Sequence, residues 1–213
     1  MNLLYNVIRP QSIENANVSH IGIKCNGVKI VNNTNSRIAE QSKQKYVEAL
    51  ISLMNSWQYT EITVTQLAQE AQLSRKAFYR LFNDKRDVLI LILDKLFDEF
   101  FIEIKEQNIK RYWEVVKHYF DFWDNHRELL LLLSKNNLLG IMFEYVYHNS
   151  EKIFVAVRTA EKAEELSSSL PYLLAYSVGG MHSMLIKWVE SGMTVRSELL
   201  IAQLKAGFQS PEL

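Results

Sequence analysis

The chain has 213 residues, 48% apolar and 23% charged, with 24 cationic and 24 anionic side chains. A zero net charge points to no partner by itself, and the composition is that of a globular chain with a sizeable core. One cysteine, Cys25, excludes an intrachain disulfide framework and a thiolate zinc site, and makes a reducing cytoplasm the simplest home.

Seven Gly and three Pro are few for this length, and abundant Leu, Glu, Lys and Gln favours an all-α chain. The longest apolar runs, 88–93 and 129–133, fall far short of the ~20 residues that span a bilayer, so no membrane partner is expected. The N-terminus lacks the basic and apolar regions of a signal peptide. Residues 1–34 are Asn-rich and aperiodic. Within them HIGIKCNGVKIV (20–31) alternates apolar residues around Asn-Gly, the pattern of a hairpin. A lone hairpin is marginal in water, so the segment reads either as a weakly ordered arm or as lying outside a functional protein that starts near Val31.

From Ile38 a period of 3.6 dominates, with Ile38, Ser42, Tyr46, Leu50, Leu53 and Trp57 on one face. After a break at WQYTEI, Thr63 and Gln66 form a capping-box pattern ahead of a helix over 64–71. Ser74 is the expected N-cap of a helix over 75–82, and Asn83-Asp84 cap a long helix over 85–107. Tyr112, Trp113, Val116, Tyr119, Phe120 and Trp123 make the next apolar stripe, followed by a short element at 129–133 and a broadly apolar stretch over 138–157. Ser169 or Leu170 precedes a first-turn Pro171, and that helix should run to Ser191 and stop at Gly192. Thr194 should open the last helix, ending near Gly207.

Two short helices joined by a tight turn make a helix-turn-helix, whose second helix fits the DNA major groove. LSRKAFYRLF (73–82) suits that second helix: Phe78, Leu81 and Phe82 form an inner face, and Arg75, Lys76, Tyr79 and Arg80 an outer one. Between Gln72 and Arg86 five cations face a single anion, Asp84. Such a concentration is either the footprint of a polyanion or a solvated helix face. Arg75, Lys76 and Ala77 sit where base edges are read. Thr63, Thr65, Ser74, Tyr79, Arg80 and Lys85 are placed to hold the DNA backbone, Lys85 together with free amides at its helix N-terminus.

EITVTQLAQEAQLSRKAFYRLFNDKRDVL closely resembles the TetR family of bacterial transcription regulators, through Thr63, Ala68, Ala71, Ser74, Tyr79, Phe82 and Lys85. It departs from the family at Gln72, where many relatives have Gly in the turn, and at Ala77, where many have Thr or Ser. The resemblance is specific over 38–89 and weaker in AYSVGGMHSMLIKWVESGM (175–193). It implies a helix-turn-helix domain over 35–84 (motif 63–82) and a larger helical regulatory and dimerisation domain over 85–213. The whole would be a cytoplasmic homodimer, repressor rather than activator, on a palindromic double-stranded operator. In that picture helices over 171–191 and 194–208 form a dimeric four-helix bundle through Gly179, Gly180, Met181, Met184, Leu185, Trp188, Leu200 and Leu204. The other reading of the glycine pair is relief of crowding inside one monomer. The resemblance also implies a small-molecule effector, with Tyr112, Trp113, Tyr119, Phe120, Trp123, Phe143, Tyr147 and Trp188 as lining residues or as plain core.

Glu144 and His148, at i and i+4, have a spacing compatible with a metal (with His118, His126 and His182 elsewhere) or with a salt-linked surface pair; no metal is assigned. No nucleophile elbow, phosphate loop, zinc-hydrolase or dinucleotide motif occurs, so neither a cofactor nor catalysis is expected. The competing classes are an adaptor that sets its basic helix on an acidic protein, and an enzyme with an aromatic pocket.

Overall fold

The computed structural model describes residues 33–157, 166 and 168–209. The hairpin expected at 20–31 lies outside the described residues. Among the described residues the protein is all-helical: α1 (Asn33–Ser56), a 3₁₀ turn (Tyr59–Glu61), α2 (Val64–Glu70), α3 (Arg75–Tyr79), α4 (Lys85–Glu106), α5 (Tyr112–Asn125), α6 (Arg127–Lys135), α7 (Leu139–Val157), α8 (Leu170–Glu190) and α9 (Ser197–Gln209). No single helix among them is long and apolar enough to cross a membrane.

α4 is the spine. Eight of its apolar side chains, Val88, Leu89, Ile92, Leu93, Leu96, Phe97, Phe100 and Ile104, are buried, more than one stripe of a helix needs for a single neighbour. It packs on α1 at one end and on α5 and α7 along the rest, α8 lies on α7, and α9 lies on α5. The buried side chains therefore form one continuous cluster from Tyr46 to Ile201, and α4 belongs to both the small and the large helical units.

Four helices end the same way. After α2, α4, α6 and α8 the chain turns through a left-handed residue: Gln72 (φ 54°), Asn108 (φ 51°), Asn137 (φ 58°) and Gly192 (φ 74°). In each, the next amide reaches back to a helix carbonyl: Leu73 to Ala68, Ile109 to Ile104, Leu138 to Leu133 and Met193 to Trp188, at 2.8–3.0 Å. The residue that makes this bond is apolar and packs down on the helix it ends, which closes the terminus on both polar and apolar grounds. Only one of the four uses glycine at the left-handed position. Gln72 holds that conformation in the helix-turn-helix turn itself, against the steric cost of a Cβ there.

Two boundaries differ from the expected ones. α3 stops at Tyr79 instead of Phe82, because the Leu81 and Phe82 amides both turn onto the Phe78 carbonyl and tighten the last turn. α9 begins at Ser197 instead of Thr194, since residues 193–196 carry the chain across the end of α8. The capping boxes are in place: Thr63 Oγ1 accepts from the Gln66 amide at 3.2 Å while the Thr63 amide donates to Gln66 Oε1 at 2.8 Å.

Candidate nucleic-acid interface

α3 is a short helix held from behind by aromatic rings. Phe78 is fully buried and meets the ring of Tyr46 edge-on at 5.2 Å, and Phe82 meets the same ring at 5.8 Å. The Tyr46 hydroxyl donates to the Ser74 carbonyl at 3.1 Å, tying the start of α3 to α1. Ser74 Oγ accepts from the Ala77 amide at 3.1 Å, so the helix is capped as its sequence predicts. Such a brace leaves the opposite face free of packing. Arg75, Lys76, Tyr79 and Arg80 are exposed there, and none of the three cations forms an ion pair with a described residue. Thr63, Thr65 and Ser74 are exposed on the same unit, and Ala77 is half-buried.

Lys85 has a different place from the one expected of it. Its Nζ donates to the carbonyls of Tyr59 (2.6 Å), Thr60 (3.0 Å) and Ile62 (2.7 Å), and lies 4.7 Å from the centre of the Tyr59 ring. An ammonium has three donors, and all are taken. Burial lowers its pKa, and burial together with the Asp84 carboxylate raises the Tyr59 phenol to about 12. The amides at the start of α4 are likewise occupied, because Asp84 Oδ1 accepts from Arg86 (2.7 Å) and Asp87 (3.3 Å). A carboxylate already sits where a phosphate was expected. Lys85 is thus a clamp that fastens α4 to the 3₁₀ turn ahead of α2, and the phosphate role read for it is corrected. Local sequence spacing carries no sign of this, because the three carbonyls lie more than twenty residues upstream.

No family model matches the chain. Over 85 residues it is 31% identical to the HTH-type transcriptional regulator HbdR of Aromatoleum sp. (strain CIB), a match that covers 40% of this chain and 35% of that protein. The matched part thus spans about a third of that relative's length. Among solved structures, the fatty acid degradation regulator FadR from Bacillus halodurans covers 76% of this chain and 91% of its own, with a TM-score of 0.48 and 18% identity. That likeness is too distant to bear on function.

The larger unit contains a half-open apolar pocket, with an empty volume near 390 Å³ that includes its mouth. α4 supplies Leu93, Leu96, Phe97 and Phe100; α5 supplies Tyr119, Phe122 and Trp123; α7 supplies Met142, Tyr145 and Val146. Of the aromatics expected to line a pocket, Tyr119 and Trp123 do so. The others are placed elsewhere. Phe120 is fully buried against Trp188, Trp113 lies between Tyr112 and Phe208, and Phe143 packs on His182 and Tyr147. α5 thus lines the pocket with Tyr119, Phe122 and Trp123, while Phe120 and Trp113 of the same helix point to other neighbours. The Tyr145 hydroxyl at the rim donates to Asp94, and burial with that carboxylate pushes its pKa up.

Behind the pocket wall, His118 stacks on Phe100, and His126 lies against Phe122 with the two rings tilted by 31°. His118 Nε2 is 2.9 Å from a Glu103 oxygen but lacks hydrogen-bond geometry, and burial lowers its pKa. The side chains of Glu144 and His148 do not pair with each other. The Glu144 carboxylate pairs with Arg86 at 3.5 Å, and His148 Nδ1 lies 2.6 Å from the Glu144 carbonyl, so the two side chains are not a salt-linked pair.

On α8, Leu185 and Trp188 are corrected from interface to core. Leu185 is fully buried, and Trp188 donates from Nε1 to the Val195 carbonyl at 2.7 Å. Met181, Met184 and Leu200 pack partly against the core, and Leu204 is half-buried. A Cβ added at Gly179 or Gly180 would meet nothing within 4 Å, so these glycines relieve no crowding inside the monomer. The outward stripe of α8 instead carries Tyr172 (79% exposed), Leu173 and Tyr176 (67% exposed), which sequence reasoning passed over; the i, i+4 tyrosine pair was its available signal.

Proposed function

We propose that this protein is a DNA-binding transcriptional regulator of TetR type, a repressor that acts as a homodimer on a two-fold symmetric operator and is released by a small-molecule effector. The observation that carries this reading is α3: a capped helix braced by Phe78 and Phe82, with Arg75, Lys76, Tyr79 and Arg80 turned outward and its three cations in no ion pair with a described residue. Exposed cations around a groove-sized helix are the means by which a duplex is held and read. Arg75, Lys76 and Ala77 read base edges. Thr63, Thr65, Ser74, Tyr79 and Arg80 hold phosphates on either side. The second copy packs on the outward stripe of α8, where Tyr172, Leu173 and Tyr176 lie exposed and Gly180 leaves room for a neighbouring helix to approach. The effector enters the apolar pocket between α4, α5 and α7. The class of function is tested by a gel shift with the DNA upstream of the protein's own gene. A discrete complex at moderate salt is expected, lost when Tyr79 and Arg80 are replaced by Ala. Equal retention of all DNA by wild type and variant would contradict the reading.

A further inference from the structure

α6 is fastened at both ends by side chains bonded to the main chain of other elements. At its C-terminal end Asn136, 4% exposed, accepts from the Tyr59 amide at 2.7 Å and donates to the carbonyls of Met54 (3.2 Å) and Leu132 (2.9 Å). Lys135 Nζ adds a bond to the Asn55 carbonyl at 2.8 Å. Apart from Leu132, which is in α6 itself, these partners are the end of α1 and the 3₁₀ turn that leads into α2. At the N-terminal end Arg127 donates through Nη2 to the carbonyls of Gly192 (2.8 Å) and Met193 (2.7 Å), and through Nη1 to Asp124 (3.2 Å). Those carbonyls are in the turn that ends α8.

A buried amide bonded through both its oxygen and its nitrogen fixes distance and orientation together, whereas apolar packing tolerates sliding. The second attachment matters because α4 alone would leave the DNA-reading unit free to swing about one helix. Two attachments, α4 through Lys85 and α6 through Asn136, converge on Tyr59 and remove that freedom. We propose that Asn136 and Arg127 are positioning residues: through α6, a nine-residue strut, they fix how far α3 stands from the outer face of α8, and hence which half-site spacing the dimer accepts. This rests on the dimeric-operator reading above.

The test uses the full-length protein and the duplex that it selects from a random pool, with one to three base pairs added or removed between half-sites. Wild type should lose affinity by about 100-fold or more when the spacing changes, because both half-sites can no longer be engaged at once. Asn136→Ala and Arg127→Ala should each flatten this profile to a loss of about threefold, with affinity for a single half-site unchanged. Val116→Ala, a buried substitution on α5 away from the strut, serves as the control for lost stability. A wild-type profile in either strut variant, or equal flattening by Val116→Ala, would overturn the strut. Selection of no paired half-sites would overturn the dimeric-operator reading and the strut with it.

Discussion

Lys85 shows how a residue's role turns on what lies within reach of its tip. Three carbonyls hold its ammonium, so Lys85→Met should destabilise folding by about 1–3 kcal/mol, with base preference unchanged. Arg75→Ala should do the reverse: stability within about 0.5 kcal/mol of wild type, and base preference relaxed by ~1–3 kcal/mol at one position. Urea unfolding and binding to single-base operator variants separate the two. His126 offers a pH-dependent case. Burial opposes its charge, but the Glu99 carboxylate at 3.5 Å, the Phe122 carbonyl and Glu103 outweigh that and raise its pKa. The folded protein therefore holds this proton more tightly than the unfolded chain. The stabilisation is complete below the unfolded value of ~6.5 and is lost as pH rises through the higher folded value. The stability difference between wild type and His126→Gln should shrink as pH rises from about 6 to about 8. His118, lowered by burial, works in the opposite sense and is common to both proteins.

At the scale of elements, local chemistry decides most boundaries. The Thr63–Gln66 box, the Ser74 and Asp84 caps and the Gly192 stop act within a few residues of themselves, and each lies where the sequence places it. The start of α9 was not legible. Thr194 is a good capping residue, but Trp188 and Arg127 hold residues 192–195 across the end of α8, which delays the helix to Ser197. Gln72 is the element-scale test. Held at φ 54°, it loses by having a Cβ in the left-handed region but restricts the unfolded chain more than glycine does. Gln72→Gly should therefore be neutral or stabilising by less than about 1 kcal/mol, and Gln72→Val should destabilise by about 1–2 kcal/mol, as read by thermal unfolding.

For the whole molecule, the inner and outer faces of α3 were legible because 3.6-residue periodicity separates Phe78 and Phe82 from Arg75, Lys76 and Tyr79 without knowledge of any neighbour. The pocket and the α8 face were not. Which side of α5 meets α4 depends on contacts between helices distant in sequence, so Phe120, expected in the pocket, packs on Trp188, and Phe122, outside the expected set, lines it. Leu185 and Trp188 are as apolar as any interface residue, and what buries them is distant in sequence: both join the core cluster, Trp188 against Phe120 and bonded to the Val195 carbonyl. If the exposed stripe of α8 joins two copies, Tyr176→Glu puts a charge in the middle of that face. It should turn a dimer into a monomer by sedimentation while leaving the fold's circular dichroism unchanged. Sequence-specific DNA reading by α3 is tested most directly by selection of duplexes from a random pool with the wild-type protein. The expected result is a pair of inverted half-sites whose binding is lost with Arg75→Ala and Lys76→Ala together. No enrichment, or an enriched sequence that the double variant binds as tightly as wild type, would contradict it.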